Sequence, residues 1–255
     1  MNAFDTRLNR RIIELQVRLY ACGARMQART DDEALHELRI AVRRLRSLLR
    51  PLRQEPLCAA LEQSAGALGK ASGPLRDLEV LAAELRRLGQ SEAAQRRLAE
   101  RDDGYAQLLA GVPLQRLQIR LDDWPQDYRD AHRDGQWQAG AKQVRRNLAR
   151  QARKLTAALR DPNHDRHRLR LLIKRLRYCA EAWPAYSELN SSTLRALRQA
   201  QGALGDWHDH LQWLLRVQSE ADLWPCVQHW QIKLLAAERQ ADECLAELTL
   251  KLSES

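Results

Sequence analysis

A chain of 255 residues, 44% hydrophobic and 29% charged, is long enough to bury a sizeable core, and its 11 Gly and 8 Pro are too few for a disordered or turn-rich all-β protein. Lys and Arg total 42 against 33 acids, and 36 of these bases are Arg, the residue whose planar, always-charged fork holds phosphate or carboxylate oxygens in paired bonds. The five cysteines (Cys22, Cys58, Cys179, Cys226, Cys244) lack CxxC spacing and so exclude a zinc framework, the opening residues Met1 to Asp5 carry no leader-like apolar stretch, and no run approaches the roughly 18 apolar residues that span a bilayer, so reduced thiols in a cytoplasmic protein are expected.

Apolar residues recur at three- and four-residue intervals almost from end to end, with no β-branched run long enough for a strand, which predicts an all-α chain. Helices are expected over 5–29, 31–53, 57–70, 74–88 and 91–110, then over 136–160, 162–184, 191–203, 206–220 and 225–249. Thr30-Asp31-Asp32-Glu33 has capping-box form, Asp161-Pro162 offers an N-cap followed by Pro at N1, and Pro74 and Pro225 stand where helices should begin. The stretch 111–135, with Gly111, Pro113, Trp124-Pro125 and Gly135, reads as an irregular seam between two halves, 1–125 and 126–255.

The halves repeat one another. His36, Leu38, Arg39, Arg43, Arg44, Leu45 and Arg46 are echoed at an offset of 131 by His167, Leu169, Arg170, Lys174, Arg175, Leu176 and Arg177. Further on, Gly73-Pro-Leu-Arg76-Asp77 meets Gly205-Asp-Trp-His208-Asp209 at an offset of 132, so helix pattern and motif order recur together. An internal duplication of this kind predicts two similar helical bundles about an approximate two-fold axis, with their motifs facing a common space.

At about 100° per residue, His36, Arg39, Arg43, Arg46, Arg50 and Arg53 fall in roughly a 100° arc, while Leu38, Val42, Leu45, Leu48, Leu49 and Leu52 lie opposite. His167, Arg170, Lys174 and Arg177 form the second such face, and the first would run for about 25 Å. Preceding helices add parallel stripes, Arg7, Arg11, Arg18, Arg25 and Arg29 in one and Lys142, Arg146, Arg153 and Arg160 in the other. A single basic stripe is ordinarily a solvated face; stripes that are nearly all positive, share few acids and recur in both halves point to a polyanion partner. Residues 131–218 carry 17 bases against 7 acids, which concentrates the excess there.

With both copies of H-x-x-R-x3-[RK]-R-[LM]-R in place, followed by Gly73 to Val80 and by Leu204 to Asp209, the chain resembles the CHAD family, the conserved histidine α-helical domain, over almost its whole length. The resemblance implies one domain of two pseudo-symmetric helical bundles around a basic groove or pore, binding inorganic polyphosphate without catalysis and without a cofactor. It assigns the ligand surface to His36, Arg39, Arg43, Arg44, Arg46, His167, Arg170, Lys174, Arg175 and Arg177. To these the stripes add Arg50, Arg11, Arg18, Arg25, Lys142, Arg146 and Arg153. Arg44 and Arg175 lie about 80° off the stripes, where they rim a channel or pair with acids. Glu181 stands on the second stripe, weakening that end or serving Arg177 as counter-ion.

Affinity for such a chain rests on charge-assisted bonds and counterion release. His36 and His167 add hydrogen bonds when neutral and charge when a neighbouring anion favours protonation, and Asp77 and Asp209 read as structural. Glu33-x-x-His36 has di-iron spacing, but the second copy offers His164 where a Glu is needed, and His208 and His210 point apart on a helix. No Walker loop, nucleophile elbow or dinucleotide fingerprint is present, and no triphosphate-processing segment with alternating Glu-x-Glu-x-Lys, so no enzyme is expected. RNA binding is the rival within the same electrostatic class; Trp124, Trp183, Trp207, Trp213, Trp224 and Trp230 have settings of core packing rather than base stacking. Docking to an acidic protein or to a storage-granule surface is the alternative from another class.

Overall fold

The three- and four-residue apolar spacing is realised as helix throughout: in the computed structural model, which describes residues 2–163 and 165–254, the described residues form ten α-helices and short 3₁₀ turns and no strand. Contacts divide the chain between Val144 and Arg145 into two units. The first comprises α1 (Ala3–Ala28), α2 (Ala34–Leu49), α3 (Pro56–Ala71), α4 (Gly73–Arg87), α5 (Ser91–Ala110), α6 (Val112–Arg133) and the start of α7 (Ala141–Leu159). Within it α1 packs on α2, α2 on α3, α3 on α6 and α4 on α5. The second unit holds the rest of α7, α8 (Arg166–Ala182), α9 (Ser191–Arg216) and α10 (Val227–Ser253), with α9 packed against both α8 and α10.

Each helix buries the stripe its spacing defines. In α2 these are Leu35, Leu38, Val42, Leu45, Leu48 and Leu49, and in α8 Leu169, Ile173, Leu176 and Cys179, with Trp183 fully buried at its end. The five cysteines are free and buried. The entry of the chain is tied down as well: Asn2 caps α1 by accepting from the Asp5 amide at 2.9 Å, and the buried Asp5 carboxylate accepts from the Trp137 indole N–H at 3.0 Å.

Four local expectations are corrected. The stretch 111–135 is not an irregular seam but mostly the continuous helix α6, with Pro113 in its first turn and Pro125 inside it. Its buried residues Leu114, Leu117, Leu121, Trp124 and Tyr128 keep the spacing of a buried helical stripe, and their packing outweighs the one backbone bond that Pro125 forgoes. The expected break between 203 and 206 is absent, because α9 buries Leu197, Ala200, Ala203, Leu204 and Trp213 as one face, and Gly202 and Gly205 simply ride on its open side. The capping box at residues 30–33 does not form; α2 starts after Glu33, and Asp31 is drawn to Arg25 of α1 and to the Glu33 amide. Asp161 caps only a turn by accepting from the Asn163 amide, while α8 begins three residues beyond Asn163 with Asp165 accepting from the His167 amide. His164 lies outside the described residues.

Candidate functional site

In the first unit, the amphipathic α2 buries its leucines and leaves His36, Arg39 and Arg43 half-buried on the other side. Arg39 is anchored where α3 gives way to α4: its Nη1 donates to the Gly69 carbonyl at 3.0 Å and to the Ser72 hydroxyl at 2.9 Å. Ser72 is fully buried and its hydroxyl in turn donates to the Leu68 carbonyl at 2.8 Å. Burial holds the Arg39 pKa below its usual value; the Asp77 charge opposes this, and Arg76 and Arg43 reinforce it. Burial likewise lowers His36, with Arg76 and Arg43 pushing in the same direction against Glu33 and Glu79. Arg76 of α4 therefore stands among the cations of α2, and the two sequence motifs meet.

Arg76 owes its place to Glu79, a buried carboxylate that accepts from Arg76 Nη1 at 2.8 Å and from the Tyr105 hydroxyl at 2.7 Å. Arg101 stands 3.7 Å from the same carboxylate and also binds Asp32 at 3.1 Å and Asp102 at 2.7 Å. Burial and the Glu79 bond push the Tyr105 phenol well up.

The far end of the α2 stripe is organised differently. Glu62 of α3 accepts from Arg46 Nε at 3.1 Å and from Arg53 at 3.2 and 2.7 Å, with Arg50 Nη2 at 3.7 Å. Burial works to raise the Glu62 carboxyl, and Arg53, Arg46 and Arg50 overcome it, leaving the group below its ordinary value.

In the second unit, α8 carries His167, Arg170 and Lys174, and α9 brings His208 to them, its ring centroid 5.7 Å from that of His167. Burial, followed by the charges of Arg170, His167 and Lys174, pushes His208 down to about 4. Beyond this cluster Arg177 is engaged on every side: it donates to Gln201 at 2.9 Å, pairs with Glu181 at 3.1 Å and lies over the Tyr178 ring at 4.4 Å. Arg198 Nε stands 3.7 Å from the same Glu181 carboxylate.

The other candidate residues are paired locally or exposed. Arg25 is held by Asp31 at 2.7 Å and Glu37 at 2.6 Å, and Arg11 by Glu14 at 2.9 Å. Arg18, Arg44, Lys142, Arg146, Arg153 and Arg175 are exposed. Few acids share the basic arcs themselves, but carboxylates still reach the stripes, Asp31, Glu37 and Glu62 from other helices and turns and Glu14 and Glu181 from the same helix. Residues that the sequence reading did not assign, Gly69, Ser72, Arg76, Glu79, Glu62 and His208, complete or modify the clusters. For Arg76 and His208 the signal was present, since they occupy the same position of the second repeated motif. The expectation of a core setting for the tryptophans fails at Trp224, which is 66% exposed. Among the described residues no group of three or more His, Cys, Asp or Glu side chains is placed to hold a metal ion, and no helix is long and apolar enough to cross a membrane.

Comparison with known proteins adds two findings. The CHAD domain family model matches residues 12–218. The crystal structure of the CHAD domain from the plant Ricinus communis is similar in fold, with a TM-score of 0.74 at 23% identity, over 99% of this chain and 92% of that one. No curated protein matches the chain.

Proposed function

The chain belongs to the CHAD domain family, and from that premise we propose that it binds inorganic polyphosphate without catalysing its turnover. The observation that carries this reading is the electrostatic state of the clusters where the two motifs meet. A histidine at each, His36 in one unit and His208 in the other, is driven toward its neutral form in part by the guanidinium and ammonium groups around it. Such surplus positive potential costs self-repulsion that a polyanion relieves, and a linear chain bearing roughly one charge per phosphate supplies the relief at the spacing of a helical stripe.

His36, Arg39, Arg43 and Arg76 serve this role in the first unit, and His167, Arg170, Lys174 and His208 in the second. The exposed Arg18, Arg44, Lys142, Arg146, Arg153 and Arg175 add a field that draws the chain in and rims the contact. Attachment to polyphosphate-bearing or storage granules follows from the same chemistry.

The test is calorimetric titration with long-chain polyphosphate at two salt concentrations, beside single-stranded RNA of equal charge. Tight, salt-sensitive and polyphosphate-selective binding supports the reading. Equal binding to RNA would reduce the clusters to a general polyanion surface. Charge reversal at Arg39, Arg43, Arg170 and Lys174 together is expected to abolish binding with helicity intact, and unchanged affinity would remove the site assignment.

A further inference from the structure

We propose that Glu62 is a resident anion that withholds Arg46, Arg50 and Arg53 from the ligand, so that the phosphate-contacting part of the first unit ends at Arg43. The inference rests on the polyphosphate reading and refines it, since the helical register of α2 by itself would extend the stripe to Arg53.

The geometry makes the exchange of Glu62 for a phosphate unfavourable. Its side chain is 7% exposed, and its oxygens take the Nε of Arg46 and both the Nε and Nη2 of Arg53, with the Nη2 of Arg50 close by. A phosphate that claimed those donors would leave a buried carboxylate without partners, and breaking one side of a buried pair costs more than an exposed charge-assisted bond returns. Arg46 is further confined by α3. Its guanidinium lies against the backbone at Gly66, where a Cβ would sit 3.6 Å from Nε, Cζ and Nη2, and its Nη1 lies near Gly69, 3.8 Å from where a Cβ would be. The guanidinium thus lies along α3 at Gly66 and Gly69, beside Glu62. Three cations on one anion still leave a net positive charge, so the cluster helps attract a polyanion at long range while its inward donors stay committed.

The experiment is a double-mutant cycle read by polyphosphate titration and its salt dependence. With Glu62 present, Arg46→Ala and Arg53→Ala are each expected to change affinity by less than about twofold, while Arg39→Ala, the internal control, loses about tenfold. Glu62→Gln is expected to tighten binding severalfold and to steepen the slope of log K against log salt by roughly 0.7 for each further phosphate engaged. In that background Arg46→Ala should cost about five- to tenfold. A loss of fivefold or more for Arg46→Ala with Glu62 in place, or no coupling between the two positions, overturns the inference. If Glu62→Gln fails to fold, the single Arg46→Ala and Arg53→Ala variants decide alone: retention supports the inference and loss refutes it. Absence of binding by the unmodified protein is a separate outcome, which refutes the polyphosphate reading rather than the role of Glu62.

Discussion

Acidification should strengthen polyphosphate binding, and His208 should be a principal reason. In the free protein its pKa falls from the ordinary 6.5 to about 4, first through burial and then through Arg170, His167 and Lys174. A bound polyanion leaves the burial in place but offsets the three cationic neighbours, so only part of the depression is recovered. Recovery of about one pKa unit makes the complex take up a proton and raises affinity about twofold between pH 8 and pH 5, approaching tenfold only below about pH 4. The sign for the free protein is opposite: a depressed histidine contributes stability that is complete above its unfolded value of about 6.5 and is lost as pH falls toward 4. Ligand should therefore protect most against thermal unfolding at the acid end. Titrations at constant ionic strength from pH 8 to pH 5, in buffers of differing ionisation enthalpy, measure both the affinity and the proton uptake. His208→Asn should flatten the profile. Affinity that is level or falls with acid, or a His208→Asn variant that keeps the full profile, would refute the argument.

The buried network behind Arg76 gives a stability prediction: Glu79→Gln removes the buried charge that Arg76 pairs with and leaves one acceptor oxygen for Arg76 and the Tyr105 hydroxyl, which should cost about 3 kcal/mol in urea unfolding, whereas a loss below about 1 kcal/mol would mean that the network is not coupled. Gly66→Ala should be tolerated and should stabilise α3 by about 1 kcal/mol, because a Cβ there meets the Arg46 guanidinium at an ordinary 3.6 Å; a lowered melting temperature would contradict the flat seating of that side chain. The five cysteines are buried, with burial raising Cys22 and Cys58, so a disulfide reagent at neutral pH should label none of them in the folded protein and all of them once it is unfolded; rapid native labelling of any one would contradict the packing.

The all-α class, the positions of most helices and their buried faces were legible from local pattern. Helical periodicity is a property of neighbouring residues, and a repeat can be read without knowing where its copies sit. Leu35, Leu38, Val42, Leu45 and Leu49 announce a buried face of α2 whatever packs against it. The elements misjudged were those where a local signal competes with distant packing. Pro125 argues for a break, yet Trp124, 2% exposed and bonded through its indole N–H to Asn9 at 2.7 Å, holds α6 together across it. Asp31 reads as part of a capping box, yet Arg25 claims it.

The same division governs the candidate site. Sequence by itself determined which cations share a helical face, because about 100° per residue follows from the backbone alone. Only the tertiary structure decided which of those cations are already answered by a carboxylate from elsewhere. Arg46, Arg50 and Arg53 lie on the stripe that begins at His36, but Glu62 arrives from α3 to gather them at one carboxylate. Arg76 and His208 enter the clusters from α4 and α9 by the same route. Charge pairing depends on distance in space and on burial, and neither is encoded in the spacing of one helix.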